Sequence, residues 1–341
     1  MNTDKRHNFS AENISGRHSL PIEGEGRGEG LFPSGKAGVG LLTIVIPVFN
    51  RKEYIKRTLD SIPDTYRVIV VDNGSTDGSY DYCRMYALNN HRKNMIVERE
   101  FTPGAAAARN KGLSLCKTPW VYFFDSDDVF TGLPESWDEN LDMVCFPVNM
   151  QVGGRVRVRD YEPVDTPHTH ILNSMLGTHS MLFRTEWLKG IGGWNNDCKI
   201  WDDWELGLRA LLHKPRMMWL TSKSYQCIFV HHNSMTGDGF SERYEKVLAV
   251  LEIAFRDIHD YGKDDTRCMF ALFLRCYTFA GELLREGNKQ ASDEVMKFIY
   301  DHFDTNAMSH KLGRLLRWYV SKGGRGAWKV ALYLVKSSKN E

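Results

Sequence analysis

Between Leu41 and Phe124, short apolar runs alternate with segments of helical periodicity, and this alternation constrains the fold more than any other feature of the sequence. The apolar runs are Leu41–Val48, Arg67–Val71 and Trp120–Phe124, with a weaker run at Asn94–Arg99, and helices are predicted between them at Arg51–Ser61, Ser79–Leu88 and Ala105–Leu115. Runs without a polar face are typical of strands that are buried on both sides. Alternation at this spacing forms βαβ units, so the sequence predicts an α/β fold with a central, mostly parallel sheet flanked by helices.

The pattern changes after Phe124. Further strands are predicted at Asp142–Met150, Arg155–Asp160, Ser180–Arg184 and Ser224–His231, and a helix with one apolar side is predicted at Asp202–Leu212. From Ser241 onward, apolar residues recur with the 3.6-residue period of a helix, which predicts a C-terminal helical extension. Its segment Arg267–Leu284 is apolar on nearly every side, so we expect it to lie between other elements.

The first 40 residues are polar and rich in glycine. They have too little apolar surface to offset the entropy of ordering, so a disordered leader is predicted. A glycine-rich phosphate loop is the alternative, but no strand precedes these glycines. The sequence therefore predicts three parts: the leader 1–40, a sheet-containing domain 41–240, and a helical region 241–341 with a basic amphipathic tail.

Charge and cysteine content exclude several classes of protein. Lys and Arg number 44 and Asp and Glu number 43, so the formal charge of +1 gives no argument for binding nucleic acid. The seven cysteines include no CxxC pair, which favours a reduced, cytoplasmic setting over a disulfide framework. Neither a signal peptide nor a run of about 18 apolar residues is present, so no membrane span is predicted.

Three acids directly follow the apolar run that ends at Phe124: Asp125, Asp127 and Asp128. Ligands of open α/β sheets bind beyond the carboxyl ends of the strands. Carboxylates gathered there repel one another unless a cation or proton relieves them, and oxygen ligands suit Mg2+ or Mn2+. The sequence thus predicts a metal site that holds phosphates, with a turn or helix-capping cluster as the alternative.

Four other positions could contribute chemistry, and each has a simpler structural explanation. Asp72 could accept a hydrogen bond from a nucleobase or ribose, or form an Asx turn. Arg109 could pair with a phosphate, or be a surface arginine. Asp203, beside Asp202, could be a general base, or both acids could stabilise a helix N-terminus. His231 could bind a metal or phosphate, ahead of its neighbour His232, or simply be exposed.

The order and spacing of these motifs are more specific than any one of them. They read TIVIPVFNRKEYIKRTLDSI, VIVVDNGSTDGS, GAAAARNKGL, WVYFFDSDD, a GGWN loop before WDDWELGLRA, and His231 shortly before Ser234. In this order they resemble family 2 glycosyltransferases with the GT-A fold, over roughly Leu42 to Gly237. No QxxRW motif is present, so the resemblance does not extend to processive members of the family.

The resemblance implies a role for each matching residue. Pro47, Val48 and Asn50 would lie near the nucleotide, and Asp72 would contact its base. Arg109 and Asp202 would belong to the donor site. Asp125 and Asp127 would form the DxD motif, and His231 would contact the metal or a phosphate. Asp127 would be the more direct metal ligand, with Asp125 as its partner, and the role of Asp128 is left open. Asp203 matches the catalytic base of the family, where Asp202 replaces the usual Glu.

The implied function is inverting sugar transfer from a nucleotide-sugar donor, favoured as a UDP-sugar, to a glycan or lipid-linked glycan, assisted by Mn2+ or Mg2+. One alternative is an inactive nucleotide-sugar-binding module, although the sequence retains Asp125, Asp127 and Asp203. The other is a sugar nucleotidyltransferase, which would need a glycine-rich loop after the first strand. Here that place holds PVFNRKEY, without glycine.

The C-terminal tail Lys311–Glu341 carries eight Lys or Arg and one acid, interleaved with Leu and Trp. A basic amphipathic segment of this kind can lie on an anionic membrane surface, here the inner face of the plasma membrane. It can equally pack on the catalytic domain with its charges in solvent. The sequence leaves both interpretations open.

Overall fold

The computed structural model describes residues 40–152, 155–157, 164, 166–221, 225–230, 239–263 and 265–338. The predicted leader, apart from Gly40, lies outside the described residues. So do the candidate ligands His231 and His232.

Strands and helices alternate along the first part of the chain, as the sequence predicts. The strands are β1 Leu42–Val48, β2 Arg67–Asp72, β3 Met95–Arg99, β4 Trp120–Phe123, β5 Met143–Cys145, β6 Val148–Val152, β7 Arg155–Arg157, β8 Met181–Arg184, β9 Met217–Trp219 and β10 Gln226–Val230. The helices are α1 Lys52–Ser61, α2 Ser79–Asn89, α3 Ala105–Leu115, α4 Pro167–Asn173, α5 Thr185–Gly190, α6 Asp202–Leu212, α7 Tyr244–Asp260, α8 Thr266–Arg285, α9 Lys289–His302, α10 Ala307–Ser321 and α11 Ala327–Ser337.

The larger sheet has the strand order β3-β2-β1-β4-β8-β5-β9. Strands β1 to β4 are all parallel to one another. Val48 of β1 lies opposite Asp72 of β2, and Val45 of β1 lies opposite Phe123 of β4. The interiors of β1, β2 and β4 are apolar and almost fully buried, which explains why these strands read as unbroken apolar runs. Strand β3 lies at the edge of the sheet and leaves Ile96 exposed. Because the four strands are parallel, their carboxyl ends meet at one edge of the sheet.

Helix α3 lies unusually close to this sheet. Its alanines at positions 106 to 108 are buried, and a Cβ atom added to Gly112 would lie 2.3 Å from Cγ1 of Val45. Real Cβ atoms do not approach so closely, so only glycine at this position permits the observed helix–strand distance. The small residues of this helix therefore place Arg109 beside the carboxyl edge of the sheet.

The other half of the larger sheet is mixed. Strand β8 is antiparallel to both β4 and β5, and β5 is parallel to β9. The single strand predicted over Asp142–Met150 is wrong, because the chain leaves β5 at Phe146 and starts β6 after Pro147. Proline has no N–H group to donate to a strand ladder. Strand β6 instead joins a second sheet in the order β10-β6-β7.

Helices α7 to α11 follow the sheets, and α8 is the most buried of them. Its residues Cys268, Phe273, Cys276 and Tyr277 are fully buried, which confirms the prediction of a helix enclosed by other elements. Among the described helices, none combines the length and the apolar character that a membrane crossing requires.

Candidate active site

Asp72 is the last residue of β2, at the carboxyl edge of the sheet, and the loop that follows it contacts its side chain. The residue is 1% exposed, and its Oδ2 accepts hydrogen bonds from the backbone N–H groups of Gly74 (3.2 Å) and Ser75 (3.1 Å). Its Oδ1 is buried and has no hydrogen-bond partner among the described residues. A buried acceptor without a partner is costly. A ligand N–H or hydroxyl group would satisfy this oxygen.

The end of β1 supports the same loop. Val48 lies directly opposite Asp72, and Pro47 precedes it in the strand. Asn50 has a left-handed backbone φ of 50°, and its backbone N–H donates to Oγ of Ser75 at 3.0 Å. The residues that the family resemblance assigns to the nucleotide therefore surround one loop at the edge of the sheet.

The three acids that follow β4 have different partners. Oδ2 of Asp127 lies 3.3 Å from Nε of Arg51. Asp128 is 4% exposed, and its Oδ2 lies 3.2 Å from Nε2 of His179. The side chain of Asp125 is 34% exposed, and its Oδ1 accepts a hydrogen bond from Arg109 at 2.9 Å. Each of the three acids thus contacts a basic side chain, which is Arg51 for Asp127, His179 for Asp128 and Arg109 for Asp125.

His179 was not predicted from the sequence. It lies in a short 3-10 turn immediately before β8, and the antiparallel pairing of β8 with β4 brings this turn to the acidic cluster. The hydroxyl of Tyr122 donates to the backbone carbonyl of His179 at 2.9 Å. Burial alone would lower the pKa of His179, but the hydrogen bond to Asp128 and the charge of Asp125 outweigh burial and raise it.

Arg109 joins the acidic cluster to helix α6. Its Nη2 donates to Oδ1 of Asp125 (2.9 Å) and its Nη1 to Oδ2 of Asp202 (2.5 Å). The guanidinium also lies over the Trp194 ring, 4.4 Å from its centroid. Arg109 is 5% exposed, so the interpretation as a surface arginine is wrong. The contact with a diphosphate stays a prediction, since both terminal nitrogens are bonded to carboxylates here.

This bridge sets the charge of Asp125. Burial would raise the pKa of Asp125, but the positive charge of Arg109, followed by that of His179, outweighs burial and lowers it. Asp125 is therefore held as a carboxylate, which is the form that binds a metal ion.

Asp203 lies in the first turn of α6, one residue after Asp202. Its Oδ2 accepts a hydrogen bond from the backbone N–H of Thr178 at 3.3 Å, and its Oδ1 accepts one from Trp204 at 2.8 Å. Burial, followed by the negative charge of Asp202, raises the pKa of Asp203 to about 6. A carboxylate with a pKa near neutrality can take up a proton during a reaction and release it afterwards.

The Gly-Gly-Trp-Asn loop is fixed by polar contacts from two helices. Arg209 of α6 donates to the Gly193 carbonyl at 2.7 Å, and Asn110 of α3 donates to the Trp194 carbonyl at 2.7 Å. Gly193 has a φ of +66°, and a Cβ there would lie 2.6 Å from Oδ1 of Asn110. These contacts hold the Trp194 ring against Arg109.

Asp125, Asp128 and His179 offer ligand atoms that all lie within 4.8 Å of one another. Two carboxylates and one imidazole form a donor set that can hold a divalent metal ion. Among the described residues, Asp125, Asp128 and His179 thus fit a divalent cation. Asp127 as the more direct ligand stays a prediction, and His231 lies outside the described residues.

Comparison with known proteins agrees with this geometry. Residues 43–193 match the model of glycosyl transferase family 2. This segment of the chain is similar to members of that family. Bacterial glycosyltransferases match it with 33–40% identity over 91–93 residues, and the chain spans only 13–36% of their length. One of them is the putative teichuronic acid biosynthesis glycosyltransferase TuaG of Bacillus subtilis, 36% identical over 26% of this chain and 36% of that protein.

Two solved structures share the fold. The crystal structure of S. aureus TarS gives a TM-score of 0.57 at 18% identity, over 85% of this chain and 54% of that one. The mannosyltransferase PcManGT from Pyrobaculum calidifontis, in complex with GDP-Man and Mn2+, gives 0.53 at 16% identity, over 91% and 92% of the two chains. The predicted GT-A fold is confirmed.

Proposed function

We propose that this protein is an inverting glycosyltransferase that moves a sugar from a nucleoside-diphosphate donor to a hydroxyl group of an acceptor. The observation that carries the proposal is the bridge Asp125–Arg109–Asp202, which connects the DxD motif to the first turn of the helix that bears Asp203. A donor site and a base are thereby held in one hydrogen-bonded network, as a single-displacement reaction requires.

Asp203 would act as the general base. With its pKa raised to about 6, it is ionised at neutral pH yet basic enough to accept the proton of an attacking hydroxyl. The hydroxyl would displace the nucleoside diphosphate from the anomeric carbon in one in-line step, which inverts the configuration. A second carboxylate acting as nucleophile, as in retaining glycosidases, is not needed.

The loop around Asp72 would hold the nucleotide. The unpartnered Oδ1 of Asp72 would accept a hydrogen bond from the base, with Pro47, Val48 and Asn50 alongside. PcManGT, which has the same fold, is described with GDP-Man and Mn2+, and this supports a nucleotide-sugar donor and a divalent metal. A UDP-sugar is still the donor that we favour.

The DxD motif would hold the metal, Mn2+ or Mg2+. Asp125 would be a ligand together with Asp127 and His231, as the family resemblance implies, or with Asp128 and His179, as the geometry favours. When bound, such an ion neutralises charge on a diphosphate leaving group. Arg109 would keep Asp125 ionised and Asp202 oriented towards the same site.

The acceptor would be a glycan or a lipid-linked glycan of the cell envelope. This is supported by the description of TuaG, which refers to teichuronic acid biosynthesis. A lipid-linked acceptor would place the enzyme in the cytoplasm, at the inner face of the plasma membrane.

Asp203→Asn tests the proposal, because asparagine keeps the size of the side chain but cannot accept the proton. We expect turnover to fall by about 1,000-fold, with nucleotide-sugar affinity nearly unchanged, in an assay of nucleoside diphosphate release with Mn2+ and a panel of acceptors. Asp197→Asn, at an exposed position six residues earlier, is the matched control and should retain full turnover.

Two outcomes would contradict the proposal. Release of pyrophosphate instead of nucleoside diphosphate would identify a nucleotidyltransferase. Nucleotide-sugar binding without release of any product by the unmodified protein, across donors and acceptors, would indicate an inactive binding module.

A further inference from the structure

The helices α10 and α11 carry a charge of one sign. Between Thr305 and Ser338 the sequence contains seven Lys or Arg and no Asp or Glu, whereas the whole chain is almost neutral. Arg317 is paired with Asp293 of α9 at 3.4 Å. The other six basic residues are Lys311, Arg314, Lys322, Arg325, Lys329 and Lys336, and all are exposed.

Large apolar side chains are exposed in the same two helices. In α10 they include Met308 (62% exposed), Leu315 (60%) and Trp318 (58%), and in α11 Tyr333 (71%) and Val330 (49%). Exposed apolar groups on a soluble surface are ordinary when they occur singly. Several within about 25 residues, all of them beside lysines, point to a surface that binds something.

The exposed residues of α10 form one face. Met308, Lys311, Leu315, Trp318 and Lys322 are spaced by three or four residues, which places them along one side of a helix. We name this set the basic apolar face. Met308, Leu315 and Trp318 supply its apolar groups, and Lys311 and Lys322, the residue that follows the helix, supply its positive charges.

The opposite side of α10 is firmly attached to α8. Gly313, Leu316 and Val320 are buried there, and a Cβ atom added to Gly313 would lie 2.4 Å from the Tyr277 ring. The basic apolar face is therefore a fixed part of the folded protein and not a loose tail. Its side chains can be replaced without disturbing the core.

We propose that the basic apolar face of α10 docks the protein on an anionic lipid bilayer, with the lysines contacting headgroups and Leu315 and Trp318 entering the interface. An amphipathic surface that combines Trp, Leu and Lys fits this environment. A second copy of the chain is a poor occupant, because two such faces would place like charges against each other. Helix α11 presents Lys329, Val330, Tyr333 and Lys336 in the same mixture.

Flotation of the full-length protein with phosphatidylcholine vesicles, with and without phosphatidylglycerol, tests the docking surface. We expect binding only to the anionic vesicles, decreasing with added salt. Lys311→Gln/Lys322→Gln should weaken binding by about fivefold for each lysine replaced. Leu315→Ser/Trp318→Ser should weaken it by at least about tenfold.

Matched controls come from exposed residues elsewhere. Met85→Ser/Leu88→Ser on α2 removes apolar groups that are 52% and 63% exposed, and Lys289→Gln/Lys297→Gln removes two exposed lysines of α9. Both controls should float like the unmodified protein. Turnover with a soluble acceptor is measured in parallel, so failure of docking is distinguished from failure of the proposed transfer reaction.

Several results would overturn the inference. They are no flotation with anionic vesicles, equal flotation with neutral vesicles, or equal losses in the control variants. A dimer in solution that Leu315→Ser/Trp318→Ser converts to a monomer, with flotation unchanged, would assign the face to a second copy instead.

Discussion

Asp125 and Asp203 are two partly buried carboxylates of the same site, and their surroundings shift their pKa values in opposite directions. Asp125 has Arg109 and His179 as neighbours, and their charges lower its pKa against the effect of burial. Asp203 has another carboxylate, Asp202, as its neighbour, and burial and this charge raise its pKa to about 6. Two residues of identical chemistry thus become suited to different tasks.

The difference shows that neighbouring basic side chains decide which of the two carboxylates has a lowered pKa and which has a raised one. A carboxylate kept ionised is suited to binding a metal ion, and one whose pKa is close to neutrality is suited to acting as a base. Arg109 contacts Asp125 and Asp202 but donates no hydrogen bond to Asp203 among those described. Changing the basic groups should therefore affect the two acids unequally.

Arg109→Ala should have the largest effect on this arrangement. It leaves Asp125 and Asp202 without their shared partner, so we expect a loss of about 100-fold in kcat/KM and of about 3 kcal/mol in the free energy of unfolding. Steady-state kinetics and denaturant unfolding measure the two losses. Lys117→Ala, just beyond the same helix and exposed, should change neither; a variant Arg109→Ala with normal kinetics would contradict the bridging role.

His179→Gln should have a smaller effect, confined to the metal. Glutamine can still hydrogen-bond Asp128 but lacks the imidazole, so we expect about tenfold weaker apparent affinity for Mn2+. The Mn2+ concentration that gives half-maximal turnover is the measurement, and kcat at saturating Mn2+ should change little. His91→Gln, at an exposed histidine, serves as the control. An unchanged Mn2+ dependence would return the ligand role to Asp127.

The smallest expected effect is a shift in pH dependence. As the proposed base, Asp203 would accept a proton only when ionised, so kcat should rise with pH through about 6 and level off above it. Asp202→Asn removes the negative charge that raises the pKa of Asp203, and the midpoint should therefore move to lower pH. A midpoint that stays in place or rises would show that Asp202 does not set the basicity of Asp203.

Much of the fold follows from local sequence patterns. The bounds of α3 and α6 were predicted as observed, α3 from its run of alanines and α6 from its apolar side. The break at Pro147 was missed, since Asp142–Met150 reads as one apolar run. Two short buried strands in different sheets look the same in sequence as one longer strand.

The site was predictable where the chemistry lies within a motif. Asp125, Arg109 and Asp203 were named from their motifs, and the structure brings these three regions together, while the roles of the residues stay predictions. His179 was not, because it is 54 positions after Asp125 and reaches it only through the antiparallel pairing of β8 with β4. The order of strands in a sheet depends on long-range packing, which no short motif encodes. Likewise, the two carboxylate partners of Arg109 became known only from the structure.

Gly112 has no side chain and belongs to none of the proposed binding residues, yet it fixes a distance on which the candidate site depends. Its contact with Val45 fixes the height of α3 above the sheet, and Arg109 lies one helical turn earlier. A larger residue at 112 would lift the helix and draw the guanidinium away from the carboxylates on either side. The position of the Arg109 guanidinium therefore depends on the distance between α3 and the sheet. Which residues position 112 tolerates is decided by the space between it and Val45, and not by charge.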